Sequence, residues 1–374
     1  MRRIRPRSLP AIVAATIAAF AAACSAGRIA AHPPVRVGFI FVGAHDDLGY
    51  NRAAWEGSLA VARAFPDVEV LRKENVPETP AAIGALEGFV EQGATILFAT
   101  SFGHLDAAMT VARRHPGVVV FHQGGVLPPS RPPNLGSYWG TMYEPMYLAG
   151  IAAGGSSTNH HLGLVAAFPI PATIANLNAF EIGARRADPA TSTTVVFTGA
   201  WCDPAAQTTA ANALLDGGAD VLAQHLDCTG PVLAAAEARG AGSIGYHFDA
   251  SEAAPKGWLV GAVWRWGPVM IDMVRTVVSM RFTGSPYDGN YRGGLRPGDN
   301  PLALTDIGAK VPVATAVLVR AEAARLRAGG SVFRGPLRDR DGVPRAAAGA
   351  ALTIADADAM QWIVEGVDGV IPPR

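Results

Sequence analysis

The sequence predicts an α/β protein of two doubly wound lobes, each built on a parallel sheet covered by helices on both faces. Three observations lead there. Short continuous runs of Val, Ile, Leu and Phe alternate with Ala-rich amphipathic stretches, the pattern of parallel strands buried on both sides. The runs come as two successive series of four. A chain of 374 residues also exceeds what one ordinary core organises.

The first series consists of "VRVGFIF" from Val35, "VEVLRKE" from Val68, "TILFAT" from Thr95 and "VVVFHQ" from Val118. Between them lie the helical patterns "RAAWEGSLAVARAF", "AAIGALEGFVEQG" and "LDAAMTVARRHP". The second series is "LGLVAAF", "TTVVFTGA", "VLAQHL" and "SIGYHF", interleaved with "PAAQTTAANALLDGG" and "PVLAAAEARG". The Pro- and Gly-rich "PPSRPPNLGSYWGTMYEP" separates the two series. A long helix-like segment, "VWRWGPVMIDMVRTVVSMRFTG", and a Gly/Pro/Asn-rich stretch follow the second, so the chain crosses between lobes more than once. The expected division is residues 35–138 with about 260–295 in one lobe and 139–258 with about 300–374 in the other.

The N-terminus reads as an export signal. Arg2, Arg3, Arg5 and Arg7 precede "AIVAATIAAFAAAC", an apolar segment too short to span a bilayer. Ala21, Ala22 and Ala23 before Cys24 resemble a bacterial lipobox, with Ala21 at the position usually held by Leu. Residues 1–24 are then a lipoprotein signal with Cys24 as the lipidated residue, and 25–34 a tether. The other reading of Cys24 is a cysteine beside an ordinary cleavage site. Outside the cytoplasm, the remaining thiols, Cys202 and Cys228, are a candidate disulfide. Lys and Arg total 31, as do Asp and Glu, so no basic surface for nucleic acid is indicated.

Open α/β sheets bind ligands beyond the carboxyl ends of their strands. That rule selects "GAHDDLGYN", "TSFGHLD", "AFPIP", "AWCDP", "HLDCTG" and "YHFDAS". "GAHDDLG" is similar to the "AHPDDE" of zinc-dependent deacetylases, but the Pro is missing, Leu48 replaces the acid and no spaced His pair follows. Neither a Gly-rich phosphate loop nor a nucleophile elbow is present, so neither enzyme chemistry, a metal nor a cofactor is expected. His104, His122, His225 and His247 read individually as hydrogen-bonding residues at strand ends. The signal is instead aromatic: Tyr50, Phe102, Trp201 and Trp264 fall near strand ends, beside Asp47, Asp106, Asp203, Asp227 and Asp249. Aromatic faces stack on a planar heterocycle while carboxylates accept its N–H groups.

In order along the chain, "DDLGYNRAAWEG", "SFGHLDAA", "YLAGIAAG", "GAWCDPAAQTTAANALLDGGADVL" and "SIGYHFD" together resemble the basic membrane protein (BMP) family of PnrA-like lipoproteins, substrate-binding components of ABC importers. The resemblance covers nearly the whole mature chain. It implies a type I periplasmic-binding-protein fold with a three-stranded hinge, working as a monomer with no cofactor. It also implies a purine base or nucleoside as ligand, an ABC permease and cytoplasmic ATPase as partners, and a lipid anchor on the extracytoplasmic side of the membrane. Tyr50 and Trp201 match the aromatic pair that sandwiches the base; Asn51 and Asp106 match polar residues of the first and third strand loops. In "GYHFD", His247 replaces the first Asp of the family's acidic loop and Asp249 remains. Trp264 aligns with a Lys that donates to ribose hydroxyls in nucleoside-binding members, which implies a preference for the free base. A sensor docking on a signalling receptor and an envelope nucleoside hydrolase are the alternative functions.

Overall fold

The computed structural model describes residues 35–124, 126–298 and 301–373. Cys24, the signal segment and the tether lie outside the described residues. From the start of the described chain come β1 (Arg36–Ile40), α1 (Tyr50–Ala64), β2 (Glu69–Lys73), α2 (Ala81–Glu91), β3 (Ala94–Ala99), α3 (Leu105–Arg114), β4 (Val119–Gln123) and β5 (Leu135–Gly140). The second half runs α4 (Tyr143–Gly154), β6 (His161–Ala166), α5 (Pro171–Ala187), β7 (Ser192–Phe197), α6 (Pro204–Asp216), β8 (Val221–His225), α7 (Gly230–Ala238), β9 (Gly242–His247) and β10 (Trp258–Trp264). The chain then returns for α8 (Trp266–Val278) and β11 (Asn290–Gly293). It crosses again to β12 (Leu302–Leu304), α9 (Val313–Arg327), β13 (Leu337–Arg338), β14 (Pro344–Ala346), α10 (Ile354–Asp358) and β15 (Val367–Asp368).

Two sheets result. The first has the order β11-β5-β4-β3-β1-β2 and is parallel at every pair. The second has the order β12-β10-β9-β8-β6-β7-β15, parallel except for β12 against β10. Phe39, Phe98 and Phe121 from adjacent strands of the first sheet form an aromatic spine, the first two rings stacked at 4.4 Å. The chain passes between sheets after β5, at Arg265 and after β11, so three connections join the lobes.

Two expectations from pattern need correction. "LGSYWG", expected in the boundary between the lobes, is the fifth strand of the first sheet, and "VWRW" does not open a helix. Instead β10 continues through Trp264, buried on both faces between β9 and β12, and α8 begins at Trp266. A short apolar run fits either period, and only pairing partners distinguish a buried strand from a buried helix.

Helix α4 is buried from Pro145 to Gly154 and therefore shows no amphipathic stripe. It lies against α5 with backbones in near contact: a Cβ on Gly183 would sit 1.9 Å from the Tyr147 carbonyl oxygen, and one on Gly150 2.0 Å from that of Phe180. Gly183→Ala must push the helices apart and is expected to cost about 2 kcal/mol. Gly84→Ala on the exposed side of α2, where nothing lies within 4 Å, should be neutral or slightly stabilising. Urea unfolding of the two variants checks this, and equal stabilities would show that the α4–α5 interface yields freely.

Candidate functional site

The carboxyl ends of the two sheets face each other, and the lobes touch along one side of the cleft between them. The Tyr50 N–H donates to the Asp227 carbonyl (3.0 Å) and the Thr229 N–H to that of Asp47 (3.2 Å). The Thr229 hydroxyl donates to the Leu48 carbonyl at 2.7 Å. Gly49 permits this approach, because a Cβ there would lie 1.9 Å from the Asp227 carbonyl oxygen.

The loop that crosses to the other lobe is braced from within. The Asp47 carboxylate accepts the N–H groups of Gly49, Asn51 and Arg52 and the Asn51 side-chain amide. Asn51 in turn accepts the Gly43 N–H at 3.0 Å. His45, next to the two acids, turns to Glu74 (2.8 Å) and stacks on Trp55. The "HDD" triplet is thus a capped turn at the start of α1.

A cavity of about 260 Å³ occupies the cleft, just below the usual range for small-molecule sites of about 300–1,000 Å³. The first lobe supplies the rings of Tyr50, Phe102 and Trp139, with Glu78, Ser101 and Arg292. Trp201, His225 and His247 face them from the second lobe, together with Asp227, the 170–172 turn at the start of α5, and Asp358.

The polar groups on this wall have defined roles. Trp264, buried behind the cavity, donates its indole N–H to His247 Nδ1 at 2.8 Å, which leaves Nε2 as that ring's protonated nitrogen. Asn176 donates likewise to His225 Nδ1 at 3.1 Å. Burial holds both imidazoles neutral: it pushes His225 down to about 3 and His247 well below its ordinary value, with His225 adding to the latter effect. Among the described residues the Asp227 carboxylate has no hydrogen-bonding partner. Burial pushes it well above the usual carboxylate range, and the nearby Asp47 and Glu78 carboxylates add to the shift. Cys202 and Cys228 form a disulfide with Cα atoms 5.2 Å apart. The Asp227 N–H also donates to the Trp201 carbonyl at 2.9 Å, so two ligand-facing loops are tied together.

Of the residues singled out from sequence, Tyr50, Phe102, Trp201, Asp227 and His247 meet at the cavity. Asp47 and Asn51 brace the turn, and Asp203 caps α6 by accepting the N–H groups of Ala205 and Ala206. Asp106 is exposed in the first turn of α3, and Asp249 is exposed and accepts the Ser251 N–H. Trp264 stacks on Trp266 and packs at a tilt against Trp139 behind His247, outside the cavity lining, so it does not fill a sugar pocket and gives no reason to expect the free base over the nucleoside. Sequence reasoning did not assign Trp139, Glu78, His225, Arg292 or Asp358 to the site. His225 does lie in "HLDCTG", at a strand end, and its placement there was the available signal.

A family profile described as ABC transporter substrate-binding protein PnrA-like matches residues 34–287. The chain is 29% identical over 363 residues to a purine-binding protein of Brucella abortus, covering 96% of this chain and 100% of that protein. It is 33% identical over 232 residues to a putative ABC transporter glucose-binding protein of Haloferax volcanii, covering 62% of this chain and 58% of that one. Among solved structures, an ABC transporter solute-binding protein from Aeropyrum pernix superposes with a TM-score of 0.69 at 20% identity, covering 87% of this chain and 96% of that one. One from Conexibacter woesei superposes with a TM-score of 0.65 at 23% identity, covering 79% and 97%. The fold is that of type I periplasmic binding proteins, the class the sequence predicts.

Proposed function

The chain belongs to the PnrA-like family of ABC transporter substrate-binding proteins, and from that premise we propose that it captures a purine base or nucleoside between its lobes and delivers it to a membrane permease driven by a cytoplasmic ATPase. One observation carries the reading: aromatic rings from both lobes line a compact cavity whose polar groups include two neutral imidazoles and an unpartnered carboxylate. A purine presents two flat faces and an edge of alternating donors and acceptors, and such a wall complements both. Each lobe contributes one side, so a ligand that touches both stabilises the closed form over the open one. The purine-binding relative in Brucella abortus, similar along its whole length, supports the same ligand class. On this reading the protein is exported, held to the extracytoplasmic face of the membrane through Cys24, works as a monomer and performs no chemistry on its cargo.

Calorimetric titration with adenine, hypoxanthine, guanine and their nucleosides, with glucose run in parallel, tests the proposal. Binding of at least one purine with no response to glucose is the expected result. Binding of glucose alone, or release of a non-purine from the purified protein on denaturation, would overturn it. Tighter binding of a base than of its own nucleoside would place the sugar outside the cavity.

A further inference from the structure

The family profile ends at residue 287, yet Asp358, well beyond it, stands on the cavity wall. Beyond α9 the chain forms an arm that belongs to the second lobe. Its β15 extends the second sheet beside β7, and the buried Asn178 side chain holds the arm twice, donating to the Trp362 carbonyl (2.8 Å) and accepting the Val364 N–H (2.9 Å). Met360, 1% exposed, seals the contact. The arm's short helix α10 ends at Asp358, at the cavity wall.

Across the cleft stands Arg292, on β11 of the first lobe. Its side chain is 13% exposed and its Nε lies 3.3 Å from Asp358 Oδ2, so the two lobes are joined here by an ion pair over the cavity. Among the described residues Arg292 is the only Lys or Arg on the cavity wall, which also carries the carboxyl groups of Glu78 and Asp227. An anion entering the closed site would meet carboxylates and a cation that already has a partner. An uncharged heterocycle meets no such barrier.

We propose that Asp358 is a specificity-determining residue: by pairing with Arg292 across the cleft it fastens the closed form and withholds the site's cation from anionic ligands. The choice of test ligands rests on the purine reading above, whereas the clasp itself does not. The pair can form only when the lobes close, so its strength adds to the closed state alone.

Hypoxanthine and urate share one fused-ring skeleton, but urate is an anion at neutral pH, so comparing them separates charge from size. Calorimetry on the wild type, Asp358→Asn, Arg292→Gln and the double variant reads the effect. Asp358→Asn is expected to bind hypoxanthine about fivefold more weakly, the upper end for a pair with one partly exposed member, and to bind urate more tightly. Arg292→Gln should weaken hypoxanthine similarly with no gain for urate, and the double variant should lose no more than either single one. An unchanged hypoxanthine-to-urate ratio in Asp358→Asn, or hypoxanthine losses that add in the double variant, would overturn the proposal. If the wild type binds no purine, the purine reading fails. The clasp is then judged by pulsed EPR distances between spin labels at Arg113→Cys and Thr208→Cys in the ligand-free chain. A shift to longer distances in Asp358→Asn supports it, and an unchanged distribution overturns it.

Discussion

Replacing Trp201 with alanine is expected to weaken purine binding by up to about 3 kcal/mol, more than a hundredfold in Kd, while the ligand-free chain melts nearly where the wild type does. The indole is half-buried on the loop after β7, with Phe168 and His225 at 5.3 and 6.0 Å and the cavity before it. What holds the loop in place does not need the indole. The Trp201 carbonyl accepts the Asp227 N–H, the adjacent Cys202 is bridged to Cys228, and Asp203 caps α6. Removing the ring therefore subtracts a stacking face without releasing its support. Trp201→Phe should recover part of the loss. Calorimetry and thermal melting of both variants check this: an unaltered Kd would remove Trp201 from the site, and a large drop in ligand-free melting temperature would make it a core residue.

The largest effect on stability is expected from pH acting on Glu181. This side chain is buried in α5 with one carboxylate oxygen accepting the Thr193 hydroxyl at 2.7 Å and the other without a partner. Burial pushes its carboxyl up to about 8 from the ordinary 4.5, against the lowering effect of the Thr193 bond and Arg185. The folded chain thus keeps a proton that the unfolded chain gives up, so the stabilisation is fully present below pH 4.5 and is lost as pH rises through about 8. Between those limits the slope approaches about 1.4 kcal/mol per pH unit, the value for one proton. Glu181→Gln keeps an acceptor for Thr193 and cannot ionise. Its stability relative to wild type should therefore rise from pH 5 to 8 in urea unfolding series, and a difference that stays constant with pH would show that Glu181 is ionised throughout.

Much of the site was legible because topology restricts where an α/β sheet can bind anything. Tyr50, Phe102, Trp201 and His247 each lie at or just past the carboxyl end of a buried run, and strand ends are readable from apolar runs and the helix starts that follow them. The same rule could not tell a ligand-facing acid from a helix cap. Asp47 and Asp203 satisfy the local N–H groups of α1 and α6, whereas Asp227, in an equally acidic loop, is left facing the cavity. A cap is a local hydrogen-bonding solution, but an uncapped carboxylate is recognised only once its surroundings are assembled.

The alternation of strands and helices, the two series and the loops that face the cleft were determined by the sequence alone, since burial on both faces and helical amphipathicity are written into neighbouring residues. Which indole reaches the cavity was decided by tertiary pairing. Trp264 and Trp139 lie on edge-region strands of different sheets, and the pairing of β10 with β12 turns the first inward while that of β5 with β11 leaves the second at the cavity. Arg292 and Asp358 depend on it still more. They reach opposite walls of one cavity because β11 joins β5 and β15 joins β7, contacts between segments more than 150 residues apart. Side chains alternate faces every residue along a strand, so a shift of one position in the pairing of β11 with β5 would turn Arg292 away, and no local pattern records that register.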